Sequence, residues 1–364
     1  MMTTSGLIGL GMSLPPDIVP NDRLIQDNGL DSSDEWIRTR TGISARRMAD
    51  EYTSTGDLGV AAGAAALASA RFVTGGDVRP DMVILATTTP DHRCPSTAPH
   101  IAHRLGLKDI AAVDVSAACS GFVYALSLAH ALVVAGTYRQ VLVVAAETYT
   151  TTLIDPHDRD TAILFGDGAG AVVVAPAAPG DPGAIESIQL GSDGTGLEVF
   201  HVPAGGSRSP FRMSQGPVEE LYVRMNGRAL YTSAVRRMTA TARAALSGAG
   251  WSVEEVDVFI GHQANQRILD SVAEHLGLPP GRQQGNLREL GNTAAASVPL
   301  AVADAALRGA AGPGDRTLLA AFGAGFTWGS VALRFPAAVP YSLAPHAAGA
   351  PEPAAPGRRV ATHA

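Results

Sequence analysis

Three polar side chains stand where an α/β chain presents groups for chemistry. Cys119 lies in DVSAACSGFVYAL, residues 114–126, after the apolar run IAAVDV and ahead of an apolar, helix-like run. Small residues (Ala117, Ala118, Ser120, Gly121) leave room for a reactant to approach the thiol. At a helix N-terminus, free N–H groups and the macrodipole favour thiolate, and such settings lower a cysteine pKa from about 8.5 to roughly 3.5–7.5. The plain alternative is a small core residue. His262, in FIGHQANQRI, follows the strand-like VDVFI directly. It would emerge at the C-terminal end of a strand, where α/β sheets hold ligands. The alternative is a core histidine, and the polar residues that follow it weigh against that. Asn292, in ELGNTAAASVPL, opens an Ala-rich run. It reads locally as a helix N-cap with Gly291 supplying the turn, or as an amide donor in a site.

Two glycine-rich loops and one aromatic–basic segment complete the candidates. FGAGFTWGS, residues 322–330, follows the strand-like RTLLAA and can aim a backbone N–H at a developing oxyanion, or simply make a tight turn. FGDGAGAVVV, residues 165–174, lacks the helix start that a phosphate cradle needs and reads as a structural hairpin or bulge. DEWIRTRTGI, residues 34–43, sets Trp36 beside Arg38 and Arg40. That grouping can stack on a base and bind phosphate, or form a solvated amphipathic turn.

These residues need a scaffold, and the pattern repeats. An Ala-rich helical run followed by PDMVILATTT is echoed by ATARAALSGAG followed by VDVFIGHQAN. Aligning Asp81 with Asp257 gives an offset of 176 (257 − 81). The same offset of 176 pairs Leu142 with Leu318 and Ser116 with Asn292. Alternating helices and short apolar strands predict α/β layers. The long period predicts two duplicated halves, residues 1–180 and 181–335, joined through an irregular region at 180–217. Cys119 then falls opposite Ala295 and His262 opposite Ala86, so each half brings different polar groups to a shared cleft. Residues 336–364, rich in Ala and Pro, are expected to form a disordered tail.

Composition frames the function. The chain of 364 residues is 46% hydrophobic, with a formal net charge of −7, which argues against a nucleic-acid partner. No apolar stretch reaches the roughly 20 residues of a membrane span, and no signal-like segment opens the sequence. Its two cysteines show no metal-ligand spacing and fit a reducing cytoplasm. No metal is expected.

In this order, DEWIRTRTGI, SAACSGF, FGDGAGA, GHQANQRI, GNTAAASVP and FGAGFTWGS resemble β-ketoacyl-acyl carrier protein synthase III, a family of the thiolase superfamily. The resemblance covers roughly residues 5–335. It implies a homodimer of five-layered αβαβα subunits and a Cys-His-Asn triad at Cys119, His262 and Asn292. It also implies a backbone oxyanion donor at Ala324, where many members have glycine, and CoA or phosphopantetheine contacts at Trp36, Arg40, Arg159 and Arg267. The implied reaction is decarboxylative condensation of an acyl-CoA with malonyl-acyl carrier protein through an acyl-cysteine, with no cofactor besides the thioester substrates. A non-decarboxylating acyl transfer to an O, N or S acceptor is the alternative on this scaffold. An acidic carrier protein calls for a basic rim, for which Arg228, Arg236, Arg237 and Arg243 are candidates near Arg267. Cys94 stands where some relatives carry a phenylalanine that reaches the partner's acyl pocket. The smaller residue points to longer or branched primers, with Tyr231 able to close the space again.

Overall fold

Hydrophobic strands buried on both faces organise the molecule. The computed structural model describes residues 4–211 and 216–344. In the strand Val141–Glu147 every residue is buried. Val141, Val143 and Ala145 face one core, while Leu142, Val144 and Ala146 face another. The two-residue period of a strand puts alternate side chains on opposite faces, so such a strand must be covered on both sides.

Two sheets result. The first runs in the order Tyr341–Ser342, Thr4–Ser13, Gly168–Ala177, Val141–Glu147, Met82–Ala86, Ala111–Val115. The second runs Val258–Gly261, Arg316–Gly323, Thr327–Arg334, Ile185–Ser192. The helices Gly121–Val134 and Ser297–Leu307 lie between the sheets, in one core that holds Ile84 and Val172 from the first and Ile260 and Val331 from the second. The helices Thr55–Thr74 and Ala98–Arg104 cover the outer face of the first sheet. Gly227–Ala249 and Gln266–Leu276 cover that of the second. The layers read αβαβα. Burying each Val, Leu or Phe of these cores contributes about 1.5–3 kcal/mol.

The duplication is visible in the elements. The strands Met82–Ala86 and Val258–Gly261, the 3-10 turns Ala118–Ser120 and Ala294–Ala296, and the helices starting at Gly121 and Ser297 correspond at the offset of 176 seen in sequence. Ala118 (φ 46°) and Ala294 (φ 45°) occupy the left-handed region in equivalent turns. That backbone costs a non-glycine residue about 1–3 kcal/mol, which two residues share here because the turns are equivalent. The two turns pack on each other, and this brings the ends of both halves to one place.

Three expectations change. The region 180–217 is not all irregular, because Ile185–Ser192 is a strand of the second sheet. FGDGAGAVVV is no hairpin: Gly168–Ala177 is a strand paired on both sides within the first sheet. The chain past 336 is ordered at least to 344, with Tyr341 and Ser342 pairing parallel to Gly11 and Met12. Residues 345–364 of the expected tail lie outside the described residues.

Candidate active site

A cavity of about 890 Å³ opens where the two halves meet, and Cys119, His262, Asn292 and Ala324 all line it. Cys119, His262 and Asn292 are buried, whereas Arg40 and Arg267, on the same wall, are exposed. The arrangement is a buried reactive floor beneath a cationic rim.

Cys119 sits in the 3-10 turn Ala118–Ser120 that leads into the helix from Gly121. Ser120 Oγ donates to Ala117 O at 2.8 Å and fixes the turn. Gly323 passes so close that a Cβ there would stand 2.7 Å from Cys119 N, which is why glycine occupies this position. The expected lowering of the thiol pKa is not what the free pocket produces. Burial, helped by the carboxylate of Glu147, pushes the Cys119 thiol up to about 12 and outweighs its own backbone N–H. Cys119 therefore stands as a neutral thiol near neutral pH.

His262 follows Val258–Gly261 directly, with its N–H bonded to Ala320 O at 2.8 Å. Burial lowers its pKa to about 3, so the ring is neutral. Its Nδ1 lies 2.6 Å from Ser297 Oγ, in a buried hydrogen bond. A hydroxyl both donates and accepts. With Ser297 accepting from Nδ1–H, Nε2 is a base for a proton; with Ser297 donating, Nε2–H is a donor. One residue can therefore serve both roles.

Asn292 is held from three directions. Its N–H donates to Leu164 O at 2.8 Å, and its O accepts from Gly166 N at 3.0 Å. Its Oδ1 accepts from Ala294 N at 2.9 Å, which leaves the amide NH₂ as a donor. FGDGAGA thus positions Asn292, and a Cβ at Gly166 would collide with the carbonyl of Leu290. Next to it, the buried Asp167 accepts from Ala49 N at 2.8 Å and from Thr150, tying the strand Ala45–Met48 to the same junction.

At the rim, Arg40 Cζ lies 5.3 Å and Arg159 Cζ 5.0 Å from the Trp36 ring. Trp36, Arg40 and Arg267 line the cavity, whereas Arg159 reaches it only through Trp36. Arg228 lines the cavity, whereas Arg236, about two turns farther along the helix Gly227–Ala249, is exposed and does not line it. Arg243 instead donates to His275 O at 2.6 Å. Arg237 turns away from the rim to pair with Asp193 at 2.9 Å. Tyr231 also lines the cavity, with its hydroxyl 2.7 Å from Ser271 Oγ. Cys94 is free and exposed.

Residues 113–194 match the family model described as 3-Oxoacyl-[acyl-carrier-protein (ACP)] synthase III, and residues 246–335 match its C-terminal counterpart. Over 91% of its length the chain is 50% identical to Beta-ketoacyl-[acyl-carrier-protein] synthase III 2 of Streptomyces coelicolor, covering 94% of that protein. The chain belongs to the β-ketoacyl-acyl carrier protein synthase III family. The crystal structure of a Pseudomonas aeruginosa PAO1 synthase III superposes with a TM-score of 0.84 at 43% identity, covering 93% of this chain and 100% of that one. The priming β-ketosynthase of the R1128 polyketide pathway superposes with a TM-score of 0.83 at 37% identity, covering 92% and 96%. The thiolase-like fold and the ketosynthase class of transferase follow.

In this synthase III chain several polar residues went unread in the sequence. Ser297 is one. Gln263 is another: its Oε1 accepts from Asn286 N and Leu287 N, both at 3.1 Å, and holds the segment that leads to Asn292. Glu147 is fully buried and accepts from Thr87, Thr88 and Thr89. Burial raises its pKa to about 7 against the pull of those threonines. Glu147 closes the strand Val141–Glu147, and Ser297 follows Asn292 by five positions. Those placements were the only available signals.

Proposed function

We propose that this protein condenses an acyl-CoA primer with malonyl-acyl carrier protein to give a 3-ketoacyl-acyl carrier protein, starting fatty-acid or polyketide chains. The observation that carries the reading is the meeting of Cys119, neutral His262 and the free Asn292 amide in one buried cavity beside Ala324.

In the first stage His262 Nε2 takes the thiol proton as Cys119 attacks the thioester carbonyl. The backbone N–H groups of Cys119 and Ala324 receive the oxyanion. CoA leaves as its thiol and an acyl-cysteine remains. In the second stage malonyl-acyl carrier protein loses CO₂, and negative charge builds on its thioester oxygen. Nε2–H of His262 and the amide of Asn292 donate to that oxygen; the carbanion attacks the acyl-cysteine carbonyl, the C–S bond breaks, and Cys119 leaves as a thiolate that takes a proton from solvent as the 3-ketoacyl carrier departs. A burial that keeps His262 neutral suits it to both stages.

Trp36, Arg40, Arg159 and Arg267 are assigned to the CoA nucleotide and the pantetheine arm, supported by the guanidinium–indole stacking at the rim. Arg228, Arg236 and Arg267 form the reduced basic face for the acidic carrier. A homodimer is supported by the edge strand Ala111–Val115, which pairs on one side only and exposes 39% of Val113. Cys94, smaller than the phenylalanine of some relatives, supports a longer or branched primer. Two free cysteines support a cytoplasmic location.

Intact-mass spectrometry with an acyl-CoA panel, followed by malonyl-acyl carrier protein, tests the reading. The expected result is an acyl adduct on Cys119 that the malonyl carrier discharges. An adduct discharged only by an alcohol or amine would assign plain acyl transfer instead.

A further inference from the structure

We infer that Arg237 is a positioning residue for the loop that carries the Ala324 N–H, acting through Asp193 and Trp328; the functional part of this inference rests on the reading above.

The loop between the strands Arg316–Gly323 and Thr327–Arg334 is anchored at two ends. On the Cys119 side, Thr327 Oγ1 donates to Ala117 O at 2.9 Å and lies 2.8 Å from Ser120 Oγ. That anchor belongs to the Cys119 turn itself. On the opposite side the loop is fixed to Asp193 by a reciprocal backbone pair. Asp193 N donates to Phe326 O at 2.9 Å, and Phe326 N donates to Asp193 O at 2.6 Å. Phe326 packs over Gly196, where a Cβ would collide with its ring.

The side chain of Asp193 adds two further ties, to Thr195 and to Arg237. Its carboxylate caps the turn Gly194–Val199 through Thr195 and pairs with Arg237 Nη2 at 2.9 Å. The Arg237 guanidinium also lies 4.3 Å over the Trp328 ring. Trp328 in turn crosses Gly191, where a Cβ would stand 2.5 Å from the indole nitrogen. Arg237 thus joins Asp193, just past the strand Ile185–Ser192, and Trp328 of the strand Thr327–Arg334 to the helix Gly227–Ala249. Arg237 does not line the cavity, so its influence on the reaction passes through the loop. An oxyanion donor displaced by about 1 Å loses roughly 100-fold in rate.

Arg237→Met keeps the aliphatic stem and removes the charge and the planar stack. Three readouts are compared with the wild type: amide hydrogen exchange of the peptide spanning 322–328, acylation of Cys119 by acyl-CoA, and alkylation of Cys119 by iodoacetamide. Alkylation forms no oxyanion, so a loosened loop leaves it alone. The expected result is loop exchange at least about tenfold faster, kcat for acylation lower by about 10–100-fold at unchanged KM, and alkylation within about twofold. Arg237→Lys, which retains the cation, should recover most of both losses. Unchanged loop exchange overturns the inference, as does an alkylation loss equal to the acylation loss, or a Lys variant as impaired as Met. Should wild-type protein acylate with no acyl-CoA, the functional reading fails, while the exchange comparison still decides the clamp.

Discussion

Replacing Ser297 with alanine tests whether its hydroxyl lets one imidazole serve both proposed steps. Ser297 Oγ lies 2.6 Å from His262 Nδ1, both residues are buried, and Ser297 has no exposed surface. The substitution removes one hydrogen bond worth about 0.5–1.5 kcal/mol and leaves a buried ring nitrogen without its partner at about 1–3 kcal/mol. With part of that loss absorbed by the ground state, about 1.5–3 kcal/mol falls on steps that need Nε2 correctly poised, or about 10–150-fold in rate. Release of labelled CO₂ from carboxyl-labelled malonyl-acyl carrier protein, measured on pre-acylated enzyme, reads this directly. The expected outcome is a lower kcat with KM for the malonyl carrier unchanged, since Ser297 does not line the cavity. Decarboxylation by Ser297→Ala within about twofold of wild type would exclude a role for Ser297 in poising His262.

Three further outcomes follow from the same geometry. With the thiol of Cys119 held at about 12, the rate of alkylation by iodoacetamide should climb about tenfold per pH unit from 7 to 9.5, and a plateau below pH 8 would contradict the assignment. Gly323→Ala places a Cβ 2.7 Å from Cys119 N, so acylation should fall by about 100-fold or more while the protein remains folded; near-normal acylation would show that the turn yields. Glu147 titrates at about 7 in the folded state against 4.5 ordinarily, so the folded protein keeps a proton that the unfolded chain has released between those values. Stability therefore falls as pH rises through that window, by on the order of 3 kcal/mol from this group. Asp167, raised to about 6 by burial, adds to the same trend, whereas His262 opposes it below pH 6.5. Glu147→Gln should lose less stability than wild type between pH 5 and 8 in paired urea titrations, and equal losses would count against a protonated Glu147.

What the sequence displayed and what it hid differ by the range of the contacts involved. Cys119, His262 and Asn292 stand out because each lies at a strand-to-helix or loop-to-helix junction with small or polar neighbours, a signal carried within about ten residues. The repeat is legible for a related reason: strands buried on both faces keep their apolar runs, so Met82–Ala86 and Val258–Gly261 still look alike. Ile185–Ser192 is hidden because IESIQLGS is mostly half-buried, mixes polar with apolar residues and offers no continuous apolar run. The roles of Gly166 and Asp167 could not be read locally, since their partners are Asn292, Ala49 and Thr150. Arg237 and Arg236 are adjacent in sequence, and only the fold separates an exposed residue from one turned toward Asp193. The thiol was misjudged for the opposite reason. The helix terminus is a local feature, but the burial and the Glu147 charge that outweigh it come from elements far along the chain.

If CO₂ loss and carbon–carbon bond formation occur at one acyl-Cys119 site, rapid-quench single turnover of acyl-loaded protein with carboxyl-labelled malonyl-acyl carrier protein reads both at once. One CO₂ released and one 3-ketoacyl carrier formed for each acyl-cysteine consumed are expected, with both abolished together in Asn292→Ala. Consumption of the acyl-cysteine without CO₂, or product formed at an undiminished rate in Asn292→Ala, would contradict that single site.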